Sequence, residues 1–193
     1  MKLIGDSQMK ILLVSDSHRF LDHLPRIVKK YKGTVDLMIH CGDSALPKND
    51  KVMKQFDIAV RGNHDEEAYP PYVIYKKICV THGHFYHIYD GYEELLALCK
   101  ENNCTLCFHG HTHVPTIKKI DGITFVNPGS LMVNRGSYAY GTYAIINLFN
   151  DIQITFYRSD DDSICPDTIL LEGLAQLEEF KRILKKYRGN YKV

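Results

Sequence analysis

Five short motifs follow one another along the chain: Asp16-Ser17-His18, Gly42-Asp43, Gly62-Asn63-His64-Asp65, Thr81-His82-Gly83-His84 and Gly110-His111-Thr112-His113. They offer three carboxylates, an asparagine amide and several imidazoles, each beside a glycine or at the end of an apolar run. Carboxylate mixed with imidazole suits Mn, Fe, Zn, Ni or Co rather than Ca or Mg. In an extended segment, residues i and i+2 point to the same side. Asp16 with His18, and His111 with His113, are therefore each expected to aim two ligands at one place. Asp43, on a tight turn after Gly42, can bridge two ions. Two ions roughly 3.5–4 Å apart clamp an in-line displacement at phosphorus and activate a water near neutral pH. Any one motif reads as a common turn; five in this order read as a two-metal hydrolytic site.

The motifs need elements to hold them. Met9 to Ser15 is a continuous apolar run, the pattern of a strand buried on both faces. Leu21, Leu24, Ile27, Val28 and Tyr31 share one helical face, and Gly33 stands where a helix C-cap is expected. Val35 to His40 is a second buried strand, which completes a βαβ unit. Short strands are expected at 58–60, 78–80 and 104–108, and a helix from Gly91 to Asn102. Residues 116–120 and 123–126 read as a hairpin around Asp121-Gly122. A second hairpin is expected from 140–149 and 152–157 around Asn150-Asp151. Leu174, Leu177, Phe180, Leu184 and Tyr187 mark a terminal amphipathic helix over about 172–188. Asp160-Asp161-Asp162 reads as a solvated loop. The motifs all follow apolar strands, as catalytic residues do in open α/β sheets.

Composition narrows the class. The chain has 193 residues, which suits one domain over 1–193, and its formal net charge is +1. That balance is not the basic footprint of a protein that holds long nucleic acid. No apolar run approaches the ~20 residues of a membrane span, and no signal peptide is visible, so a cytoplasmic location is expected. The six cysteines are expected to be reduced, and Cys104-Thr105-Leu106-Cys107 to be buried core thiols rather than a zinc site. His40 and His109 read as structural core histidines. Asp65 reads as a cap for a following helix or as a residue that orients His64.

The motif set resembles the calcineurin-like metallophosphoesterase superfamily, with its Asp-x-His, Gly-Asp, Gly-Asn-His-Asp/Glu, single His and Gly-His-x-His. Within it the chain is similar to the small bacterial and archaeal phosphodiesterases of the YfcE type, which follow Gly-His-Thr-His with Asn-Pro-Gly-Ser, here Asn127-Pro128-Gly129-Ser130. The resemblance covers roughly residues 9–157. It implies an α/β fold, a four-layer α-β-β-α sandwich of two mixed β-sheets flanked by helices. It also implies residues 1–8 as an extension, and 127–130 as a turn on the site floor.

The resemblance further implies a ligand set and a chemistry. One ion would be held by Asp16, His18, Asp43 and His113. The other would be held by Asp43, Asn63, His82 and His111, with Asp43 as bridge. His64 would face the scissile phosphate as general acid or transition-state donor, with Asn63 beside it at the substrate. His84 is placed behind the ligands or on the surface. The expected cofactors are two divalent transition-metal ions, Mn ahead of Ni, Fe, Zn or Co. The expected reaction is hydrolysis of phosphodiester bonds in small substrates by a metal-activated hydroxide. Rival readings are a phosphomonoesterase, a nucleotide or dinucleoside polyphosphate hydrolase, and a protein-interaction scaffold like the retromer subunit of this fold. The expected partner is a small phosphodiester, without large nucleic acid or membrane; a homodimer is the base-rate expectation. The terminal helix is expected to cover a sheet edge or to form an oligomer contact.

Overall fold

The computed structural model describes residues 8–19, 22–66, 68–135 and 139–188. The expectations for residues 1–7, for Leu21 and for the side chains of Leu184 and Tyr187 fall outside the described residues. Two five-stranded mixed sheets carry the fold. The first contains β1 (Met9–Val14), β2 (Leu37–His40), β3 (Ile58–Ala59), β9 (Thr142–Leu148) and β10 (Ile152–Arg158), in the order β10-β9-β1-β2-β3. The second contains β4 (Tyr72–Tyr75), β5 (Ile78–Thr81), β6 (Leu106–Phe108), β7 (Pro115–Ile120) and β8 (Ile123–Pro128), in the order β4-β5-β6-β8-β7. The helices are α1 (His23–Tyr31), α2 (Glu93–Glu101) and α3 (Ile169–Arg188).

Side-chain alternation builds the layers. Ile11 and Leu13 of β1 enter one core with Ile78 and Val80 of β5 and with Leu106 and Phe108 of β6. This is the interior between the sheets. Leu12 and Val14 point the other way and bury Leu24, Ile27, Val28 and Tyr31 of α1. Cys79 and Cys107 leave the second sheet on its outer face and pack with Leu95 and Cys99 of α2. The result is the expected α-β-β-α sandwich. Period-two alternation in runs that are apolar at every position has this outcome, because both faces must be covered.

Local signals set several boundaries. Lys32 N–H donates to Val28 O, and Gly33 follows with φ 76, which ends α1 where the sequence places its cap. Asp121 (φ 49) and Gly122 (φ 80) are both left-handed, the type I′ geometry that matches hairpin twist. Strand β4 has no counterpart in the sequence reading. It is a half-buried edge strand directly after Pro70-Pro71, paired only with β5, so it lacks the fully apolar signature of the central strands. α3 begins at Ile169 and packs against β7, the outer strand of the second sheet. It covers a sheet edge, one of its two expected roles. Among the described residues no helix is long and apolar enough to cross a membrane.

One expectation is corrected. Asp162 is not a solvated loop residue: its Oδ2 lies 2.6 Å from Arg26 Nη1 and 2.9 Å from Lys30 Nζ, and Tyr143 OH donates to its Oδ1. The carboxylate clasps α1 to the loop after β10, a contact across more than a hundred residues that local reading cannot see. Asp162→Ala is expected to lower the unfolding free energy by about 1–2 kcal/mol. The check is a lower urea midpoint at unchanged m-value; an unchanged midpoint would mark the clasp as a screened surface contact.

Candidate metal centre

The five motifs lie at the C-terminal ends of five parallel-paired strands. Asp16 and His18 follow β1, Asp43 follows β2, Asn63 and His64 follow β3, His82 follows β5, and His111 and His113 follow β6. The strands come from both sheets, and hydrogen bonds tie their ends together. Asp16 N–H donates to Gly42 O, His18 N–H to Asp43 O, and Gly110 N–H to His82 O.

Asp16, His18, Asp43 and His113 gather ligand atoms that all lie within 4.8 Å of one another. His113 Nε2 is 3.1 Å from Asp16 Oδ1. A second set adjoins the first through Asp43. His82 Nε2 is 3.4 Å from Asp43 Oδ2, 3.8 Å from Asp16 Oδ1 and 3.3 Å from Asn63 Oδ1. The rings of His82 and His111 are 5.1 Å apart. His82 Nδ1–H donates to Cys41 O at 2.7 Å, which orients the ring so that Nε2 faces the carboxylates. His64 is exposed at the rim, 5.4 Å from the His18 ring, and its backbone N–H donates to Asp43 Oδ1.

The backbone differs from the extended pairs that the spacing suggests. Asp16, His18, Asp43, His111 and His113 all have left-handed φ, between 39° and 68°. Asp16 and His18 do converge, but through this turn-like chain. His111 and His113 do not aim at one place: His113 joins Asp16, while His111 leans on His82. Non-glycine residues in this region cost about 1–3 kcal/mol each and persist only where packing over-determines them. Gly110 shows how tight that packing is. A Cβ there would fall on Ser15 Oγ and lie 2.7 Å from Asp16 Oδ2.

Charge and burial explain the electrostatics. Burial alone would raise the Asp16 carboxyl, but His113 and His82 outweigh it and hold it well below the usual range. Burial alone would lower His82, but Asp16 and Asp43 outweigh it and hold it up at about 9. Burial and then the His82 charge push His111 down to about 3, and the same two carboxylates raise it too little to offset them. Asp16 Oδ1 is buried and accepts no hydrogen bond of good geometry, although His113 Nε2 lies 3.1 Å from it. An ionised oxygen in that position is costly unless a cation completes it. A metal ion among Asp16, His18, Asp43 and His113 would do so, and the donors fit a divalent transition metal.

The remaining expectations sort as follows. His40 is a buried core residue: Gly42 N–H donates to its Nδ1, so Nε2 carries the proton toward Ser17 Oγ. His109 is likewise buried, between Tyr92 and Asn127. Asn127 donates to Gly110 O and Thr112 Oγ1, and Ser130 Oγ donates to Asp16 O, so 127–130 do underlie the site, although Asn127 and Pro128 still belong to β8. Asp65 caps no helix among the described residues. Its two oxygens accept from Asp43 N–H, Gly62 N–H, Ser44 Oγ–H and Ala45 N–H. It braces the Asp43 loop against the Asn63 loop. Tyr89 and Arg135 were not legible in sequence: Tyr89 OH donates to His111 O, and Arg135 N–H to His113 O. Arg135 also lies 4.3 Å over Phe180 of α3, which joins that helix to the ligand loop. Cys79, Cys99 and Cys107 also cluster, but in the apolar core under α2, where burial pushes the Cys107 thiol far up; all six cysteines are free and buried.

Comparison with known proteins gives the family of the chain. The calcineurin-like phosphoesterase superfamily domain matches residues 9–151. The probable metallophosphoesterase YsnB of Bacillus subtilis is 32% identical over 162 residues, 81% of this chain and 95% of its own. Phosphodiesterase MJ0936 of Methanocaldococcus jannaschii is 28% identical, over 63% of this chain and 83% of its own. The crystal structure of a conserved uncharacterized protein from Streptococcus pneumoniae superposes with a TM-score of 0.77 at 29% identity, covering 83% of this chain and 95% of that one.

Two outcomes follow from the site. Asp65→Ala strands four donors and is expected to cost about 2–4 kcal/mol of stability, read by denaturant unfolding. The second concerns the proton on His82. Its raised value of about 9 means that the charged pair stabilises the fold fully below about 6.5 and that this contribution is lost as pH rises through 9. The same carboxylates attract a metal, so proton and metal compete. Between pH 7 and 8, Mn²⁺ binding is expected to release a proton that His82→Gln does not release. Calorimetry in two buffers of different ionisation enthalpy reads this directly.

Proposed function

The chain belongs to the calcineurin-like phosphoesterase superfamily, and we propose that within it this protein is a divalent-metal-dependent hydrolase of phosphodiester bonds in small substrates. One observation carries the reading above the others. The buried oxygen of Asp16 that accepts no hydrogen bond of good geometry stands in a cluster with His18, Asp43 and His113. These four residues would hold one ion; Asp43, Asn63, His82 and His111 would hold a second. Asp43 lies in both sets, and its closeness to His82 supports a shared carboxylate. Manganese comes first, with Ni, Fe, Zn and Co suited to the same donors. Ions bound there supply Lewis acidity and lower the pKa of a water.

The chain's own residues supply the rest. Asp16 and Asp43 fix the charge of the floor. In this reading His64 would donate a proton to the departing ester oxygen and Asn63 would contact the phosphoryl group; the exposure of His64 and the tie of its backbone to Asp43 support that role. The Methanocaldococcus jannaschii relative, named a phosphodiesterase, supports a diester over a monoester. A scaffold role would be expected to go with loss of His64, which this chain retains. Six free, buried cysteines suit a reducing compartment and support a cytoplasmic location.

The test is to strip the protein with chelator and titrate Mn²⁺ while following hydrolysis of bis-p-nitrophenyl phosphate and of the matching monoester. Restored activity that favours the diester is expected. Asp43→Asn is expected to abolish it and to weaken metal binding. His64→Ala is expected to lower kcat by about 10²–10⁴ with metal content retained; loss of metal instead would make His64 a ligand and overturn its role.

A further inference from the structure

The turn after β5 carries more than His82. Gly83 (φ 102) and His87 (φ 45) bracket a single 3-10 turn, His84–Tyr86, and the buried Ile88 anchors it by donating its N–H to Gly83 O. The turn is thus built to a fixed shape. Its outermost side chain is Phe85, 43% exposed. Phe85 lies ring to ring with His84 at 3.9 Å, and the His84 ring is 5.3 Å from His82 and 6.0 Å from His111. The exposed ring therefore stands one side chain away from the metal centre. The guanidinium of Arg61 lies 5.7 Å over the same ring. Arg61 directly precedes the Gly62-Asn63-His64 segment, and its backbone N–H is fixed to Pro70 O. Phe85, packed against His84 and under Arg61 but still 43% exposed, is an aromatic ring set on fixed backbone beside a centre that would attract anions once it held metal.

We propose that Phe85, with Arg61 and His84, forms a subsite for a planar aromatic group carried on the phosphate, so that the substrates are aryl-like or nucleoside esters. The proposal rests on the phosphoesterase reading of the adjoining centre. With metal held by Asp16 and Asp43, the phosphoryl group would bind at that centre, and the ring attached to it would pack beside Phe85, whose ring Arg61 already overlies. Nothing in this arrangement reads one base over another, since every base has a π face and the subsite is open to solvent. Contact with an aromatic side chain typically tightens the binding of a base by tenfold or more.

Phosphonates, which the enzyme cannot hydrolyse, separate binding from turnover. The Mn²⁺-loaded protein is titrated by calorimetry with phenylphosphonate and with ethylphosphonate. Phenylphosphonate is expected to bind about tenfold more tightly. Phe85→Ala is expected to erase that ratio by weakening phenylphosphonate alone, and Phe85→Tyr to keep it. Equal affinities in the wild-type protein, or a preference that survives Phe85→Ala, overturn the subsite. Hydrolysis of bis-p-nitrophenyl phosphate is followed on the same samples. No hydrolysis with the preference intact sinks the hydrolase reading alone, and hydrolysis without the preference sinks the subsite alone. If neither phosphonate binds the metal-loaded protein, both fail.

Discussion

Two carboxylates buried where the two sheets meet govern this molecule. Asp16 is fully buried and Asp43 nearly so. Taking such charges out of water costs several kcal/mol each unless cations and hydrogen bonds answer them. The surrounding structure is that answer. Ser15 Oγ–H and His111 N–H donate to one oxygen of Asp16, and His64 N–H to one oxygen of Asp43. The oxygens left over face His113 and His82. A positive charge is required among them, whether a proton on His82 or a metal ion. The pull that holds the His82 proton is the same pull that would bind the metal.

That requirement shapes the loops. Five ligand-type residues sit in left-handed backbone, and glycines stand where any side chain would strike a carboxylate or its donors. Loops under such strain need support from outside themselves. Asp65 gives it across the second and third motifs, Asn127 and Ser130 from beneath, and Tyr89 and Arg135 from the side. The strands give the support its rigidity, because each motif begins at the end of a strand, and all but the short edge strand β3 are buried along most of their length on both faces. Function and fold are coupled here: the site is the place where the sandwich leaves its polar chain ends, and the sandwich fixes the distances between them.

α3 adds a feature outside the matched family region. It starts after residue 151, where the family match ends, and lies along β7. Through Phe180, Arg135 and Tyr89 it touches the loop that carries His111 and His113. An element that covers a sheet edge thus also steadies one wall of the site.

The sequence by itself determined the family and the layers. Residue types and order named the donors, and apolar runs with period-two alternation placed the central strands and the helices that cover them, because these signals are local. It could not determine how the donors meet. The expected extended geometry of Asp16 with His18 and of His111 with His113 gave way to left-handed turns, since the price of that backbone is met only by contacts from distant loops. The bracing role of Asp65 and the clasp of Asp162 are hidden for the same reason: most of their partners lie on other segments. Strand β4 was silent because an edge strand needs only one covered face. Which side chains gather, which oxygen stays unsatisfied and where Phe85 stands relative to His82 are properties of strand ends brought together from two sheets, and only the tertiary structure decides them.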